Sequence, residues 1–174
     1  LNNWNTNSWG VSSTVFYTPS SSITDSPLGN YSGGSNNSIQ LDPALDLTNA
    51  TTARLQFWTR WDIEAGFDYV RLTASTDGGN SWTPVCGKYT VTGNQNQDNG
   101  EPLWDGNQSS WVLEDMDLGD FVGNDVELRF TLVSDNFVQG DGFYIDDLTV
   151  NVIQDDDTTI SVNELVESAV SISN

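Results

Sequence analysis

The chain of 174 residues contains no histidine, one cysteine and only five lysines and arginines. Without histidine, neither a Ser-His-Asp nor a Cys-His catalytic arrangement can form, and no ordinary zinc site is available. Any catalysis would fall to carboxylates. Cys86 has no partner for an intrachain disulfide, so the fold must stand on its core and on any bound metal. No apolar run approaches the length of a membrane span, and membrane insertion is not expected. The start at Leu1, with neither initiator Met nor leader, reads as a piece of a longer protein. The few bases face twenty-five acids, which leaves a net charge of −20. That charge repels nucleic acid and anionic lipid surfaces, and both drop out as partners.

What the chain does have is aromatic residues. Seven Trp, seven Phe and five Tyr can furnish the core of one domain of this length. The excess acid costs self-repulsion, which divalent cations would relieve; solubility in a salty medium explains it equally well. Helical periodicity is almost absent, and apolar residues alternate instead. Val126, Leu128, Phe130 and Leu132 share one face of a run, as do Val70, Leu72 and Ala74, and again Leu148, Val150 and Val152. Short β-rich runs between Gly, Asn, Asp and Pro turns predict an all-β antiparallel sandwich of jelly-roll type. Strands are expected near 14–18, 21–25, 37–41, 53–61, 67–76, 81–85, 110–117, 125–134 and 143–153. One helical turn is expected over 117–123, capped by Asp117 or Asp120 and stopped by Gly123. The polar stretch 86–110 is long enough to suggest a functional or disordered loop. Residues 1–153 form the expected domain. From 154 to 174 the composition changes to an acidic tail, opened by Asp155-Asp156-Asp157, that reads as a linker.

The run Asp141-Gly142-Phe143-Tyr144-Ile145-Asp146-Asp147-Leu148-Thr149-Val150 is the most informative. Side chains alternate along a strand, so two adjacent carboxylates place at least one acid on a buried face. A buried carboxylate needs a cation or hydrogen-bond donors. In a chain so poor in bases, a bound metal is the natural partner. Other acids that could join it are Asp25, Asp62, Glu64, Asp68 and Asp141; calcium would take roughly 6–8 such oxygens. Spacing alone favours solvated loop acids, and a glycosidase-like carboxylate pair is the less favoured catalytic alternative. Ser75-Thr76-Asp77-Gly78-Gly79-Asn80-Ser81-Trp82 has the form of an Asp-box hairpin, whose turn chemistry favours a structural role. The aromatics exceed what a small core needs, and an exposed platform would suit sugars or peptides. Trp104 and Tyr89, in the long loop, are the candidates for ligand contact.

In order, Asp25-Ser26-Pro27, Leu55 to Glu64, Phe67-Asp68-Tyr69-Val70, Ser75 to Gly79 and Asp141 to Asp147 make a combined pattern. Over about residues 9–153 it resembles the MAM-like jelly-roll modules that follow the catalytic domains of secreted bacterial metallopeptidases of the immune-inhibitor-A type. Cys86 to Tyr89, Glu101 to Gly106 and Trp111 to Glu114 look closest to the modules of secreted zinc carboxypeptidases. The tail, Ile160 to Leu165 and Ser171 to Asn174, resembles the lead-in to a type IX secretion sorting signal; the sorting domain itself is absent from this sequence.

The resemblance implies a secreted, non-catalytic accessory domain whose partner is the catalytic domain of its parent peptidase. It also implies one structural calcium held by an acid of the last strand. On that pattern Asp146 is the first ligand, with Asp25, Glu64 and Asp68 as companions and Asp141 and Asp147 in reserve. Such a module would position substrate or stabilise the enzyme outside the cell, by contact with extracellular protein or polysaccharide. The alternatives on the same fold are a carbohydrate-binding module, an adhesin-type domain or a plain spacer.

Overall fold

A computed structural model describes residues 1–6, 8–154 and 161–164. The strands are β1 (Trp4–Thr6), β2 (Gly10–Ser12), β3 (Ser22–Thr24), β4 (Asn36–Leu41), β5 (Leu45–Asp46), β6 (Ala50–Asp62) and β7 (Tyr69–Ser75). They continue as β8 (Thr83–Pro84), β9 (Val91–Thr92), β10 (Pro102–Leu103), β11 (Asn107–Asp117), β12 (Asp125–Val133), β13 (Gly142–Gln154) and β14 (Ser161–Glu164). Two antiparallel sheets form a sandwich of the jelly-roll type. One has the order β1-β4-β12-β7-β8, with β5 joining β12; the other has the order β11-β6-β13-β3-β2, with β14 joining β13. No α-helix occurs among the described residues.

The period-two pattern places the core where the sequence suggested. From β6 the inward side chains are Ala53, Leu55, Phe57, Thr59 and Trp61, and from β12 they are Val126, Leu128, Phe130 and Leu132, all buried. Phe57, Phe130, Phe143 and Trp104 meet at the centre, with ring centroids 5.0–6.4 Å apart for the contacting pairs. Tilted and edge-on rings of this kind add to the area they bury.

Three expectations need correction. The 14–18 run is not a strand; it crosses the outside of the second sheet after β2 ends at Ser12. The 86–110 stretch is folded, with a small β9–β10 hairpin and a bridge between Trp104 and Val70 that adds it to the first sheet. The turn at Gly119–Phe121 is 3₁₀; its N-cap is Leu118, and Asp117 Oδ1 accepts the Gly119 amide at 2.8 Å. Within the stretch read as a linker, β14 pairs with Thr149–Val152 of β13. The rest of the sorting-signal resemblance lies outside the described residues.

The Asp-box reading holds in its local geometry. Asp77 takes the Ser81 amide at 2.9 Å and the Ser81 hydroxyl at 2.6 Å, and these bonds pull its pKa down to about 2. Trp82 closes the turn through Gly79 and lies under the Arg129 guanidinium, 3.7 Å from the ring centroid.

Candidate functional site

Glu64 follows the end of β6, Asp68 precedes β7, and Asp135 follows the end of β12. The antiparallel pairing of β12 with β7 sets Asp135 beside Asp68, and Glu64 joins them through the β6–β7 connection, where its carbonyl accepts the Asp68 amide at 3.2 Å. Carboxylate oxygens of the three acids lie within 4.8 Å of one another. Asp68 is fully buried; its Oδ1 accepts the Asp135 amide at 2.7 Å and its Oδ2 accepts the Tyr31 hydroxyl at 2.8 Å. Tyr31 is itself buried and receives the Glu64 amide at 3.1 Å, so one phenol ties two of the acids together. Glu64 Oε2 is sealed from solvent with no hydrogen-bond partner. Burial raises the Glu64 pKa, and the neighbouring Asp135 and Asp68 charges raise it further. Burial likewise raises that of Asp68, against the bonds it accepts. None of the ion pairs among the described residues reaches this cluster. Converging hard oxygens with no counter-charge and one orphaned oxygen suit a calcium-sized cation.

Two of the four expected ligands, Glu64 and Asp68, therefore converge, and the sequence reading missed Asp135. Its signal was weak: a single acid just beyond an alternating strand, in Ser134-Asp135-Asn136.

The other two expected ligands do not join this group. Asp146 is fully buried, but its oxygens accept backbone amides: Tyr17 at 2.7 Å, Thr18 at 3.0 Å and Asp147 at 2.9 Å. The pairing of β13 with β6 shifts between Asp146 and Thr149, and Asp147 has φ 46 within that bulge. This local break lets Asp146 sit on the outer side of the sheet beneath the 13–18 segment while Leu148 returns to the core. Asp147 accepts the Thr18 hydroxyl at 2.6 Å.

Asp25 lies after β3, where its Oδ1 accepts the Phe143 amide at 2.6 Å while its Oδ2 is buried and unpartnered. Burial pushes its pKa up to about 7. Gly142, with φ 93, is required beside it, because a Cβ there would lie 2.7 Å from Asp25 Oδ1. Asp141 is held to this corner by its carbonyl, which accepts the Ser26 hydroxyl at 2.5 Å.

Trp104 cannot be a ligand-facing residue. It is 0 % exposed, and its Nε1 donates to Glu114 Oε2 at 3.1 Å inside the core. Glu114, also 0 % exposed, is a buried acid that alternation alone did not flag. It gathers the Lys88, Tyr89 and Asp115 amides as well, fastening the start of the long stretch to β11. Tyr89 is half-buried against the core, with the Lys88 ammonium 4.9 Å from its ring centroid.

A profile of the Immune inhibitor A-like MAM domain family matches residues 23–172. The chain belongs to that family. It is 27 % identical over 153 residues to Bacillopeptidase F of Bacillus subtilis, covering 86 % of this chain and 9 % of the relative. It is 31 % identical over 111 residues to Immune inhibitor A of Bacillus thuringiensis subsp. alesti, covering 63 % of this chain and 15 % of the relative. Pre-pro-metalloprotease PrtV of Vibrio cholerae is 28 % identical over 108 residues, with 62 % of this chain and 11 % of that protein covered. The chain thus spans only a small part of the length of these relatives. Among solved structures, TmCBM61 in complex with β-1,4-galactotriose superposes with a TM-score of 0.49 at 13 % identity, over 87 % of this chain and 88 % of that one. No helix of the described residues is long and apolar enough to cross a membrane, which says nothing of β-barrels.

Proposed function

We propose that this domain is a non-catalytic accessory module of a secreted metallopeptidase, stabilised by one calcium ion. The observation that carries the reading is the family match across residues 23–172, in a chain that corresponds to a small fraction of its protease relatives. The parent is taken to be a zinc carboxypeptidase, on the resemblance of the Cys86 to Tyr89, Glu101 to Gly106 and Trp111 to Glu114 segments. Glu64, Asp68 and Asp135 would hold the ion. Calcium would supply charge neutralisation there, tying together three chain segments that otherwise repel one another.

The module's task would be to steady the catalytic domain outside the cell or to keep it near its substrate. The test is to produce the full-length protein with and without residues 9–153. Hydrolysis of a short peptide should be unchanged by the deletion, while lifetime on heating or the rate on insoluble material should fall. A glycoside hydrolase in place of the peptidase domain would overturn this reading. So would a deletion with no effect on lifetime or on insoluble substrate.

A further inference from the structure

The outer face of the second sheet carries an aromatic group that the core does not use. Trp58 projects outward from β6, and Tyr17 lies flat on it with ring centroids 3.9 Å apart and planes 16° apart. Trp111, from the irregular part of β11, stands against Tyr17 at 6.1 Å and 60°. Tyr144 supports Trp111 edge-on at 6.5 Å. Tyr17 keeps 43 % of its surface exposed, and Trp58 and Trp111 are each partly exposed. Together the rings make an angled ledge, with Tyr17 as its floor and Trp111 as its wall.

The chain invests in this ledge. Asp146 holds the Tyr17 and Thr18 amides, and Asp147, in its uncommon positive-φ backbone, holds the Thr18 hydroxyl. A buried carboxylate and a bulge thus fix the segment that sets Tyr17 over Trp58. Pre-organised rings lose little freedom when a ligand settles on them. Conformations such as that of Asp147 concentrate at functional sites.

We propose that this ledge binds a neutral polysaccharide, with pyranose faces stacked on Tyr17 and Trp111. The charge balance selects the ligand. A chain of net charge −20 repels acidic polymers, whereas the carboxylates at the ledge are already engaged. Asp146 accepts three amides, Asp147 accepts Thr18, and Asp115 pairs with Arg54 at 2.9 Å. Arg60, over the Tyr144 ring at 5.7 Å, has no carboxylate within ion-pair distance among the described residues and can donate to sugar hydroxyls. Gln56 and Asn151, bonded to each other at 3.2 Å, add amide groups on the same face.

A peptide fits the face less well. Extended peptides are held by the free edge of a sheet; β6 is flanked on both sides, and the edge strand β11 is broken beside Trp111 by the register shift between Gln108 and Val112. Among the described residues, the one large aliphatic side chain exposed beside the rings is Leu113, too little for a protein-binding core.

This deepens the accessory-module reading by naming a surface and a ligand class, and it is tested apart from the peptidase. The whole chain, with calcium present, is run in native gels containing hydroxyethylcellulose, arabinoxylan or soluble starch, with alginate and casein gels alongside. Retardation by at least one neutral polysaccharide is expected, weakened about tenfold or more in both Tyr17→Ala and Trp111→Ala. Alginate should have no effect. Melting curves confirm that each variant is folded, and Trp111→Phe should restore part of the retention. Three results would overturn the proposal: no retardation in any neutral gel, retardation that both alanine variants keep, or retention only in casein. None of these would bear on the full-length peptidase test.

Discussion

Buried acid is accommodated in two different ways in this molecule. At Glu114 and Asp146 the carboxylates are met by the chain's own N–H groups, an indole and amides in one case and three amides in the other. At Glu64, Asp68 and Asp135 three acids face one another; Asp68 and Asp135 accept local donors, but Glu64 Oε2 has none. The first kind of site is complete within the polypeptide and works as an internal fastener. The second is not completed in this way, and it is there that calcium is proposed. The comparison shows that burial of an acid is not by itself a sign of metal; the supply of donors around it decides.

The strongest way to break this contrast is to remove a fastener. Glu114→Ala leaves the Trp104 indole N–H and the loop amides without acceptors, and should cost about 3–5 kcal/mol in urea unfolding, with or without calcium. Asp146→Ala should follow the same calcium-independent pattern with a loss of about 2–4 kcal/mol.

Next in size comes a pH effect at Asp25, which falls between the two kinds of site because one oxygen is paired and one is not. Its folded pKa of about 7 lies above its ordinary value of 3.8, so the folded state holds the proton more tightly. Its contribution to stability is full below pH 4 and is lost as pH rises to 7, by up to about 4 kcal/mol. Stability measured in chelator across that range should flatten in Asp25→Asn. The raised values at Glu64, Asp68 and Asp146 act in the same direction.

Calcium sharpens the contrast from the other side. At a hundred times its dissociation constant it should add about 2.7 kcal/mol, or a rise of roughly 5–10 °C in melting temperature. Asp135→Asn should abolish the rise, yet in chelator it should melt no lower than the parent chain, because it relieves repulsion. A calcium response that survives in Asp135→Asn would assign the ion elsewhere. The smallest effect is expected far from either kind of site. Arg129→Gln removes the guanidinium above Trp82 and should cost about 1 kcal/mol, unchanged by calcium.

The alternating runs made most of the sandwich legible, because the core-facing apolar residues of β6, β7 and β12 recur with period two. The short edge elements β1, β2 and β5 escaped, as runs of two or three residues carry too little pattern. At the acid cluster, Glu64 and Asp68 were legible as acids flanking strong strands, whereas Asp135 becomes a neighbour only when β12 pairs with β7. At least one of Asp146 and Asp147 was expected to be buried, and Asp146 is, though beneath the 13–18 segment on the outer side of the sheet. Which donors would meet it depended on how the 13–18 segment crosses the sheet, and nothing local encodes that. Trp104 was misread because polar neighbours in sequence said nothing of Glu114, ten residues away, which draws the indole inward.

Among the described residues, strand β11 is the margin of the second sheet, eleven residues long, with one side unpaired. A straight, bare margin of that length would invite another chain to add to it and start a fibril. Its first half is distorted by the register shift between Gln108 and Val112, and its second half carries Asp115 and Asp117. A second copy approaching this side would meet a kink and then its own charge. The same strand that anchors Trp104 thus helps to keep copies of this domain from polymerising.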